Sequence, residues 1–284
     1  MSYIQASCLY IVATPIGNLQ DLSARAIETL SEVDVICCED TRHSKRLLEH
    51  FSIKGKLQSL HDHNEKDKSS RIVEWLQSGQ SIALISDAGT PLISDPGCYL
   101  VNCVKQAGFD VIPIPGACAI IAALSASGLP TDRFYFEGFV PAKSSNRKAR
   151  FESLKEFEHT WIYYESPHRI TDSLKDLQSV LGGERIICFA RELTKTFETI
   201  RKDSIENILQ LMHDDHNQTK GEFVIMVQGI VVDKSEENEA AISLLRLLID
   251  EKIPLKTAAK IAAQHCDDKK NKLYKLALSW QEQL

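Results

Sequence analysis

Three short turns that contain proline and glycine are the residues best suited to build a binding site. Their sequences are TPIGN at 14–18, SDAGTP at 86–91 and PIPG at 113–116, and each follows a short apolar run. Glycine lets a ligand approach the backbone closely because it has no Cβ, and proline fixes the direction of a turn. Three ordinary tight turns are the simpler explanation, but three such turns at strand ends favour a ligand cradle made largely of backbone groups.

Six ionisable side chains lie close to predicted strand ends and are candidates for catalysis. Carboxylate and imidazole groups can accept a proton, and guanidinium and ammonium groups can stabilise a developing negative charge. A salt bridge or a structural hydrogen bond explains each of them equally well when it is taken alone, so the identity of a base stays open. The six candidates are Asp87, Glu165, His168, Arg191, Glu192 and Lys195.

Two common nucleotide-binding motifs are absent from the sequence. No GxGxxG follows the first apolar run, and no GxxxxGK[ST] occurs anywhere in the chain. These absences argue against a dinucleotide site and against an NTP-hydrolysing P-loop. The residues alone therefore predict an α/β protein with a ligand cleft built from loops, and they leave the ligand open.

The apolar runs and the helices between them indicate two α/β domains. Nearly continuous apolar runs such as LYIVA at 9–13 and SIALIS at 81–86 are typical of parallel strands that are buried on both faces. They alternate with amphipathic helices, which predicts a first domain over residues 1–116 with a mainly parallel sheet. After that point the strand-like runs come closer together, which predicts a second α/β domain over residues 117–232 with more antiparallel pairing.

The C-terminal part of the chain has a different sequence pattern, without strand-like apolar runs. An acidic segment, DKSEENE at 233–239, leads into helical sequence that extends to the last residue. Ile253-Pro254 and Asp267-Asp268 divide that sequence into three short helices. This pattern predicts a small helical module over residues 237–284 that resembles a helix-turn-helix.

Basic residues cluster in three places and are candidates for contacts with nucleic acid. The segment from Lys143 to Arg150 holds four cations and no acid, which predicts a flexible loop suited to phosphate contacts. A solvated surface loop is the alternative explanation for the same pattern. The candidates, including those of the EDTRHSK segment and of the tail, are Arg42, His43, Lys143, Arg147, Lys148, Arg150, Lys256, Lys260, Lys269, Lys270 and Lys272.

Composition limits the function classes that remain. The chain has 284 residues with 33 Lys and Arg against 39 Asp and Glu, a net charge of −6, which argues against a protein that coats nucleic acid non-specifically. No apolar run approaches the ~20 residues of a membrane span, and the start of the chain lacks a basic leader region, so we expect a cytoplasmic protein. The eight cysteines include no CxxC spacing and fall mostly in apolar runs, so we expect buried thiols and no metal site.

The sequences of the longer motifs, and their order along the chain, resemble those of a known family. Composition alone does not reveal this resemblance. The chain resembles the ribosomal RNA small subunit methyltransferase I family, a branch of the tetrapyrrole methylase superfamily, over essentially its whole length. The segments that carry the resemblance are LYIVATPIGNLQDLSARAIETL, CCEDTRHSKRLL, LHDHNE, ALISDAGTPLISDPG, IPIPGACAIIAALSASGLP, YYESPHR, ARELTKTFET and KGEFVIMVQG.

This resemblance implies a fold, a cofactor and a substrate. It implies two α/β domains of tetrapyrrole methylase type with the cofactor S-adenosylmethionine (SAM) in the cleft between them, plus the small helical module, and usually a homodimer. The implied reaction is 2′-O-ribose methylation of a cytidine in the decoding region of 16S rRNA, within the small ribosomal subunit.

The resemblance also implies which residues hold SAM. Thr90 departs from the superfamily pattern, since many tetrapyrrole enzymes have Asp at this place, and its contact with SAM is expected to differ. The residues carried over by motif are Pro15, Gly17, Gly89, Thr90, Pro91, Ile93, Gly116, Cys118, Ala119, Tyr164, Phe197, Gly221 and Glu222.

Two other functions remain as alternatives at the level of sequence. A methylase that acts on a small tetrapyrrole would share the same cradle, and a ligand-sensing regulator could use the C-terminal helices to bind nucleic acid. The basic segment around Arg147 and the lysine-rich tail favour an RNA substrate, because an enzyme for a porphyrin-like molecule needs neither.

Overall fold

The first part of the chain builds a five-stranded sheet in which every pairing is parallel. The computed structural model describes residues 4–230, 239–266 and 268–281. The strands of this sheet are β1 (Cys8–Val12), β2 (Val35–Cys38), β3 (Leu57–Ser59), β4 (Ile82–Ile85) and β5 (Asp110–Ile114), in the order β3-β2-β4-β1-β5. The helices between them are α1 (Ala24–Glu32), α2 (Thr41–His50), α3 (Glu65–Gln77) and α4 (Cys98–Gln106).

Helices cover both faces of this sheet, and that is why its central strands are apolar on both sides. One face packs Tyr10 and Ile36 against Leu30 of α1, and the opposite face packs Leu9 and Ile82 against α3 and α4. Every residue of β2 and β4 is buried. A parallel sheet of this kind opens its carboxyl edge to ligands, because the strands end there and the helices begin.

Local capping fixes where two of these helices begin. The hydroxyl of Ser23 accepts a hydrogen bond from the backbone N–H of Ala26 at the start of α1, as its position before the apolar pattern predicts. Asp40 caps α2 in the same way by accepting from the N–H of Arg42. Because Asp40 follows β2 almost directly, α2 starts at the carboxyl edge of the sheet.

The second part of the chain builds a mixed sheet with more antiparallel pairing, as predicted. Its order is β6-β7-β10-β8-β9, with β6 and β7 parallel and the three other pairings antiparallel. In chain order its elements are α5 (Ala119–Ala126), β6 (Phe134–Phe139), α6 (Ser144–Ser153), β7 (Thr160–Glu165), α7 (Ile170–Leu181), β8 (Ile186–Arg191), β9 (Thr199–Ser204), α8 (Ile205–Asp214) and β10 (Phe223–Val227).

The two faces of the mixed sheet have separate cores. Helices α6, α7 and α8 pack on one face around Phe151, Trp161 and Phe189, all of which are fully buried. The other face packs Ile162 and Met226 against α5 and against Ile16, which belongs to the first turn. This second core joins the mixed sheet to the carboxyl edge of the parallel sheet.

The segment predicted as a flexible basic loop is a helix, so that expectation was wrong. Within α6 only Arg147 and Phe151 are buried, and the remaining side chains are half-buried or exposed. Only one apolar residue lies on the inner face of this helix, so its apolar residues show no helical periodicity. The sequence pattern therefore did not predict a helix there. The strand β9 was also not predicted, because it is a polar edge strand that pairs with β8 alone.

The C-terminal part forms a separate compact unit of three helices, as predicted. They are α9 (Glu239–Asp250), α10 (Leu255–His265) and α11 (Lys270–Gln281). Small side chains at the centre, among them Ala258, Ala259 and Ala262, allow the helices to approach closely around Leu245 and Leu273. The acidic segment 233–239 lies outside the described residues apart from Glu239, as do the proposed domain boundaries at 232 and 237.

None of the helices in the described part of the chain is both long enough and apolar enough to span a membrane.

Candidate functional site

The three proline- and glycine-containing turns lie together at the carboxyl edge of the parallel sheet. The N–H of Thr14 donates to the carbonyl of Gly89 at 2.8 Å, and the N–H of Gly89 donates back to the carbonyl of Thr14 at 3.1 Å. The hydroxyl of Thr90 donates to the carbonyl of Ala117 at 3.0 Å, which connects the second turn to the third. The turns after β1, β4 and β5 thus form one hydrogen-bonded unit, which we call the cradle.

Two glycines allow the cradle strands to pack this closely. A Cβ on Gly116 would lie 2.9 Å from the Cβ of Ala13, too close for any other residue without movement of the backbone. Gly89 has a φ of +84°, a left-handed conformation that favours glycine, and a Cβ there would lie 3.2 Å from Ile16. Glycine at these two positions is therefore a requirement of the geometry.

A cavity of about 420 Å³ lies above the cradle, between it and the mixed sheet. Its apolar surface comes from side chains such as Ile16, Leu193 and Val224. Nine of the residues predicted for the site line it, and they are Asp87, Gly89, Thr90, Ile93, Cys118, Ala119, Tyr164, Glu165 and Glu222. The volume and the mixture of apolar and polar walls are those of a small-molecule site.

Glu165 is among the residues that line the cavity, but its side chain is directed to the other face of the mixed sheet. Its side chain is fully buried, and Oε1 accepts from the N–H of Ser166 and pairs with Arg169, each at 2.8 Å. Its Oε2 has no hydrogen-bond partner among the residues that the structure describes. Side chains alternate along a strand, so Glu165 shares the face of Tyr163 and lies opposite to Tyr164. Its carboxylate therefore lies behind the cavity wall, on the side of α7.

The side of the cavity next to the parallel sheet is acidic. Burial, and next the neighbouring carboxylates of Glu39 and Asp87, raise the pKa of Asp95 to about 6. Burial and then the charge of Asp87 also raise the pKa of Glu39, which follows β2. Asp87 itself accepts a hydrogen bond from the N–H of Asp40 at 3.2 Å. The carboxylates therefore come from the ends of two neighbouring strands and from the loop that follows β4.

Sequence reasoning missed Asp95, although a signal was present. Asp95 lies in SDPG, directly after the GTPLI segment that was assigned to the cofactor. It is neither a turn glycine nor a residue at a strand end, the two features that identify most of the other site candidates. Its position in the cavity wall depends on the backbone of the loop that carries it, which the sequence pattern does not reveal.

Three aromatic rings meet on the mixed-sheet side of the cavity. The rings of Phe136 and Phe139 lie 5.0 and 5.4 Å from that of Tyr164. Burial, and next the nearby thiol of Cys118, raise the pKa of Tyr164. Phe139 lines the cavity and yet is 57% exposed, so its ring borders both the cavity and solvent. Phe139 was also not predicted.

A network of charges behind the cavity connects the two halves of the site. The ammonium of Lys195 lies 2.9 Å from Glu192 and 3.0 Å from Glu222. Burial alone would lower the pKa of Lys195, but these two carboxylates outweigh it and leave the pKa raised. Gly17 and Gly221 pack directly against Lys195 and Glu192, where a Cβ would overlap them. These four predicted residues support the cavity from behind and do not line it.

The remaining predicted catalytic and cofactor residues also lie away from the cavity. Arg191 donates to the carbonyls of Lys220 and Phe197, which orders the loop after β8. Phe197 is 70% exposed in a separate open groove that Arg191 and Gly221 share. His168 is exposed close to the start of α7. Pro15, Pro91 and Gly116 belong to the turns that form the cradle and do not face the cavity.

The structure corrects the role expected of Arg147. Its side chain is 3% exposed and donates through Nε and Nη2 to Asp176, at 2.9 and 2.5 Å. Its Nη1 donates to the carbonyls of Pro141 and Ala142. A guanidinium that is buried and fully engaged in this way cannot reach a phosphate, so Arg147 holds α6 against α7.

Most of the other basic candidates are accessible. Lys148 is exposed and 3.4 Å from Asp176, whereas Arg150 is engaged by Glu137 at 2.5 Å. The side chain of Arg42 is 90% exposed at the start of α2, the helix that begins at the edge of the cavity. The exposed candidates are Arg42, His43, Lys143, Lys148, Lys256, Lys260, Lys269 and Lys270, while Lys272 is half-buried.

Comparison with known proteins gives the class of this fold and site. Residues 8–209 match the family of tetrapyrrole (corrin/porphyrin) methylases, and residues 235–281 match the RsmI C-terminal HTH domain. The crystal structure of uroporphyrin-III-C-methyltransferase from Thermus thermophilus aligns with a TM-score of 0.55 at 17% identity, covering 87% of this chain and 99% of that one. That of diphthine synthase aligns with a TM-score of 0.59 at 16% identity, covering 78% and 90%. The fold is that of a tetrapyrrole methylase.

Full-length relatives narrow this class to one family. The chain is 54% identical to ribosomal RNA small subunit methyltransferase I of Haemophilus influenzae, over 95% of this chain and 96% of that protein. It is 50% identical to the protein of the same name from Escherichia coli O157:H7, over 96% and 95%. The chain belongs to the ribosomal RNA small subunit methyltransferase I family.

Proposed function

We propose that this protein transfers a methyl group from SAM to the 2′-oxygen of a cytidine ribose in the decoding region of 16S rRNA. The observation that carries the proposal is the cavity above the cradle, in a chain that matches a ribosomal RNA methyltransferase over 95% of its length. We further propose that it acts in the cytoplasm, as a homodimer, on the small ribosomal subunit.

The cavity residues fit SAM in shape and in charge. The backbone of Gly89 and Thr90 offers a surface without large side chains, and the apolar wall suits the flat adenine ring. The acidic side around Asp87 and Asp95 complements a ligand that carries positive charge. When bound, SAM supplies a methyl group that its sulfonium makes electrophilic.

The task left to the protein is to position the ribose hydroxyl and to remove its proton. Direct displacement requires the attacking oxygen about 3–3.5 Å from the methyl carbon and in line with the bond that breaks. The cradle and the mixed sheet bound the cavity from two sides, and both contribute apolar side chains to its walls. An alcohol attacks poorly while it is protonated, so a carboxylate in the wall is the natural acceptor of the proton.

The exposed ring of Phe139 suits a nucleotide that is turned out of its stack. Enzymes that modify a nucleotide within folded RNA must extract it, and they hold the extracted base against aromatic side chains. Phe139 stands at the rim of the cavity, beside Tyr164. A cytosine stacked on this ring would bring its ribose to the mouth of the cavity.

Exposed cations supply the contacts that a folded RNA needs. Arg42 and His43 lie at the start of α2, near the acidic side of the cavity, and Lys148 lies on α6. Contacts to phosphates position the substrate without reading its sequence. This arrangement favours an RNA over a small tetrapyrrole, since the latter has no extended phosphate backbone to hold.

The decisive experiment combines the protein with isotopically labelled SAM and with small ribosomal subunits that lack the modification. We expect labelled 2′-O-methylcytidine at one position of the decoding region, mapped by mass spectrometry of nuclease fragments. The Gly89→Val variant is the matched control, because a branched side chain at φ +84° disrupts the cradle and should abolish SAM binding.

Two further substrates separate the alternatives. Free 16S rRNA in place of subunits reports whether the assembled particle is required. Transfer to a uroporphyrinogen-type substrate, together with none to either RNA, would contradict the proposal.

A further inference from the structure

Strand β6 contains an extra residue shortly before Phe139, the phenylalanine that borders the cavity. Phe136 pairs with Ile162 of β7 and Gly138 pairs with the next residue, Tyr163, so Glu137 has no pairing partner of its own. Two residues of β6 thus lie opposite one residue of β7, which is the pattern of a β-bulge. Bulges change the direction in which nearby side chains point, and they occur often beside active sites.

The bulge decides which face of the sheet receives Phe139. Side chains alternate along a regular strand, so without an extra residue Phe139 would share a face with Tyr135 and Glu137, which both bond to α6. The observed register instead pairs Phe139 with Tyr164, whose ring lies on the cavity face. The two rings are 5.4 Å apart. The extra residue therefore moves Phe139 from the face of α6 to the face of the cavity.

The backbone of the bulge requires a glycine. Gly138 has a φ of +80°, in the left-handed region that residues with a Cβ rarely enter. A Cβ there would lie 3.8 Å from the hydroxyl oxygen of Ser94, which is an ordinary contact distance. The conformation, and not a lack of space, therefore demands glycine, and an alanine would strain the bulge without a clash.

An arginine of α6 holds the extra residue in place. Arg150 donates through Nε and Nη2 to the two carboxylate oxygens of Glu137, each at 2.5 Å, and Nη2 also donates to the hydroxyl of Tyr135 at 3.0 Å. The side chain of Glu137 is 11% exposed, so this ion pair is largely shielded from water. Two parallel bonds of this kind fix geometry as well as charge. The pair therefore ties the bulge to α6, which Arg147 anchors one turn earlier.

The same bonds occupy the guanidinium of Arg150. Its third nitrogen, Nη1, donates to the hydroxyl of Ser153 at 3.4 Å, so every nitrogen of the group has a partner within the protein. A cation that binds phosphate needs donors directed at solvent. These contacts favour a positioning role for Arg150 over a direct contact with RNA.

We infer that Glu137 and Arg150 are positioning residues that hold the bulge and so turn the ring of Phe139 to the cavity face, where the extracted base stacks on it. This inference rests on the proposed function, in which Phe139 receives the base. The pair acts through Phe139 and touches neither the RNA nor the methyl donor.

The test is a double-mutant cycle on the KM for small subunits. Glu137→Ala should raise this KM about tenfold, the effect of losing one base–aromatic stack, and Arg150→Ala should do the same. In a Phe139→Ala background either substitution should raise the KM further by less than about twofold, because the ring that the pair positions is already gone. A pair that only stabilised α6, or that bound phosphate, would give effects that add to that of Phe139→Ala.

Matched variants separate the bulge from the charge. Arg201→Ala removes an arginine that pairs with Asp203 on β9, the opposite edge strand of the same sheet, and should leave the KM unchanged. Gly138→Ala alters no charge and should raise the KM as Glu137→Ala does, because a φ of +80° disfavours alanine. Thermal melting followed by circular dichroism, and the SAM dissociation constant from calorimetry, check that each variant is folded.

A measurement without RNA follows the ring itself. 4-Fluorophenylalanine incorporated in place of Phe139 gives a fluorine NMR signal that senses the neighbouring ring of Tyr164. Glu137→Ala should shift this signal toward that of the free amino acid, because the ring leaves its place beside Tyr164. Arg201→Ala should leave the signal unchanged.

Contrary results separate the inference from the proposed function. A fluorine signal unchanged in Glu137→Ala would show that the pair does not hold the ring. Effects on the KM that add to that of Phe139→Ala would give the pair a role apart from the ring, and a raised KM in Arg150→Ala alone would make Arg150 a phosphate ligand. A wild type that methylates no RNA, with the fluorine signal shifting as expected, would reject the proposed function and the stacked base while the positioning of the ring stands.

Discussion

The residues around the cavity fall into two groups. One group lines the cavity, and the other holds the lining residues in place. Asp95 and Phe139 line the cavity, and each lacks an interaction: no cation is among the groups that set the pKa of Asp95, and the ring of Phe139 is 57% exposed. Lys195 and Glu192 satisfy each other behind the wall. A ligand can supply the interactions that such side chains lack in the folded chain.

The exposed ring of Phe139 leads to a prediction about RNA alone. Phe139→Ala should raise the KM for small subunits about tenfold, because base–aromatic stacking contributes about 1–3 kcal/mol. The affinity for SAM, measured by calorimetry, should change less than twofold. Phe134→Ala is the matched control, since Phe134 is an exposed phenylalanine at the other end of β6 and outside the cavity. An unchanged KM in Phe139→Ala would exclude stacking on this ring.

Among the elements, helix α6 carries several cations, and one of them, Arg147, anchors the helix to the rest of the fold. Arg147 points inward one turn before Phe151 and bonds Asp176 of α7, while Lys148 points outward. The helix thus uses a charged residue where an apolar one would ordinarily lie. Removing one partner of a buried ion pair leaves the other charge without compensation.

This anchoring predicts a loss of stability on mutation, separate from any effect on RNA. Arg147→Ala should lower the free energy of unfolding by about 3 kcal/mol, because the carboxylate of Asp176 would lose its buried partner. Denaturant titration followed by circular dichroism measures the change. Lys155→Ala, which removes an exposed pair with Glu152, should cost less than about 1 kcal/mol. Equal effects of the two substitutions would mean that the Arg147–Asp176 pair does not stabilise α6.

The sequence predicted the elements whose signal is local and failed where tertiary contacts decide. The strand at Phe134–Phe139 and the N-cap at Ser23 were predictable, because apolar runs and capping residues act over a few positions. The cradle was predictable from its glycines and prolines. The inward turn of Arg147 and the position of Asp95 depend on partners distant in sequence or on an unusual backbone, which no local period encodes.

At the scale of the whole molecule, the net charge of −6 coexists with exposed cations on α2, on α6 and in the C-terminal unit. In that unit Lys256 and Lys260 lie four residues apart on the solvent face of α10, opposite the buried alanines of its core. A protein with a net negative charge and a few basic surfaces can bind one RNA site without binding RNA non-specifically. Local charge, and not the total, then governs affinity.

A charge-matched pair of variants tests this distinction. Lys256→Glu with Lys260→Glu should weaken binding to small subunits about tenfold and reduce the dependence of affinity on salt, because each lost phosphate contact lowers the slope by about 0.7–0.9. Lys54→Glu with Lys105→Glu alters the net charge equally at exposed positions outside these surfaces and should have little effect. Filter binding at several salt concentrations measures both. Equal losses in the two variants would show that total charge controls binding.

The order of strands in the mixed sheet has a consequence for how the protein is made. Its last strand in sequence, β10, lies in the middle of the sheet between β7 and β8, and it supplies Phe223 and Val224 to the cavity wall. The parallel sheet, by contrast, has all its strands once Ile114 has been synthesised. During translation the cradle can therefore form early, while the opposite wall waits for residue 227 to emerge. A nascent chain interrupted before that point has the cradle but lacks the wall that β10 supplies. The ability to bind the methyl donor therefore arises in one late step.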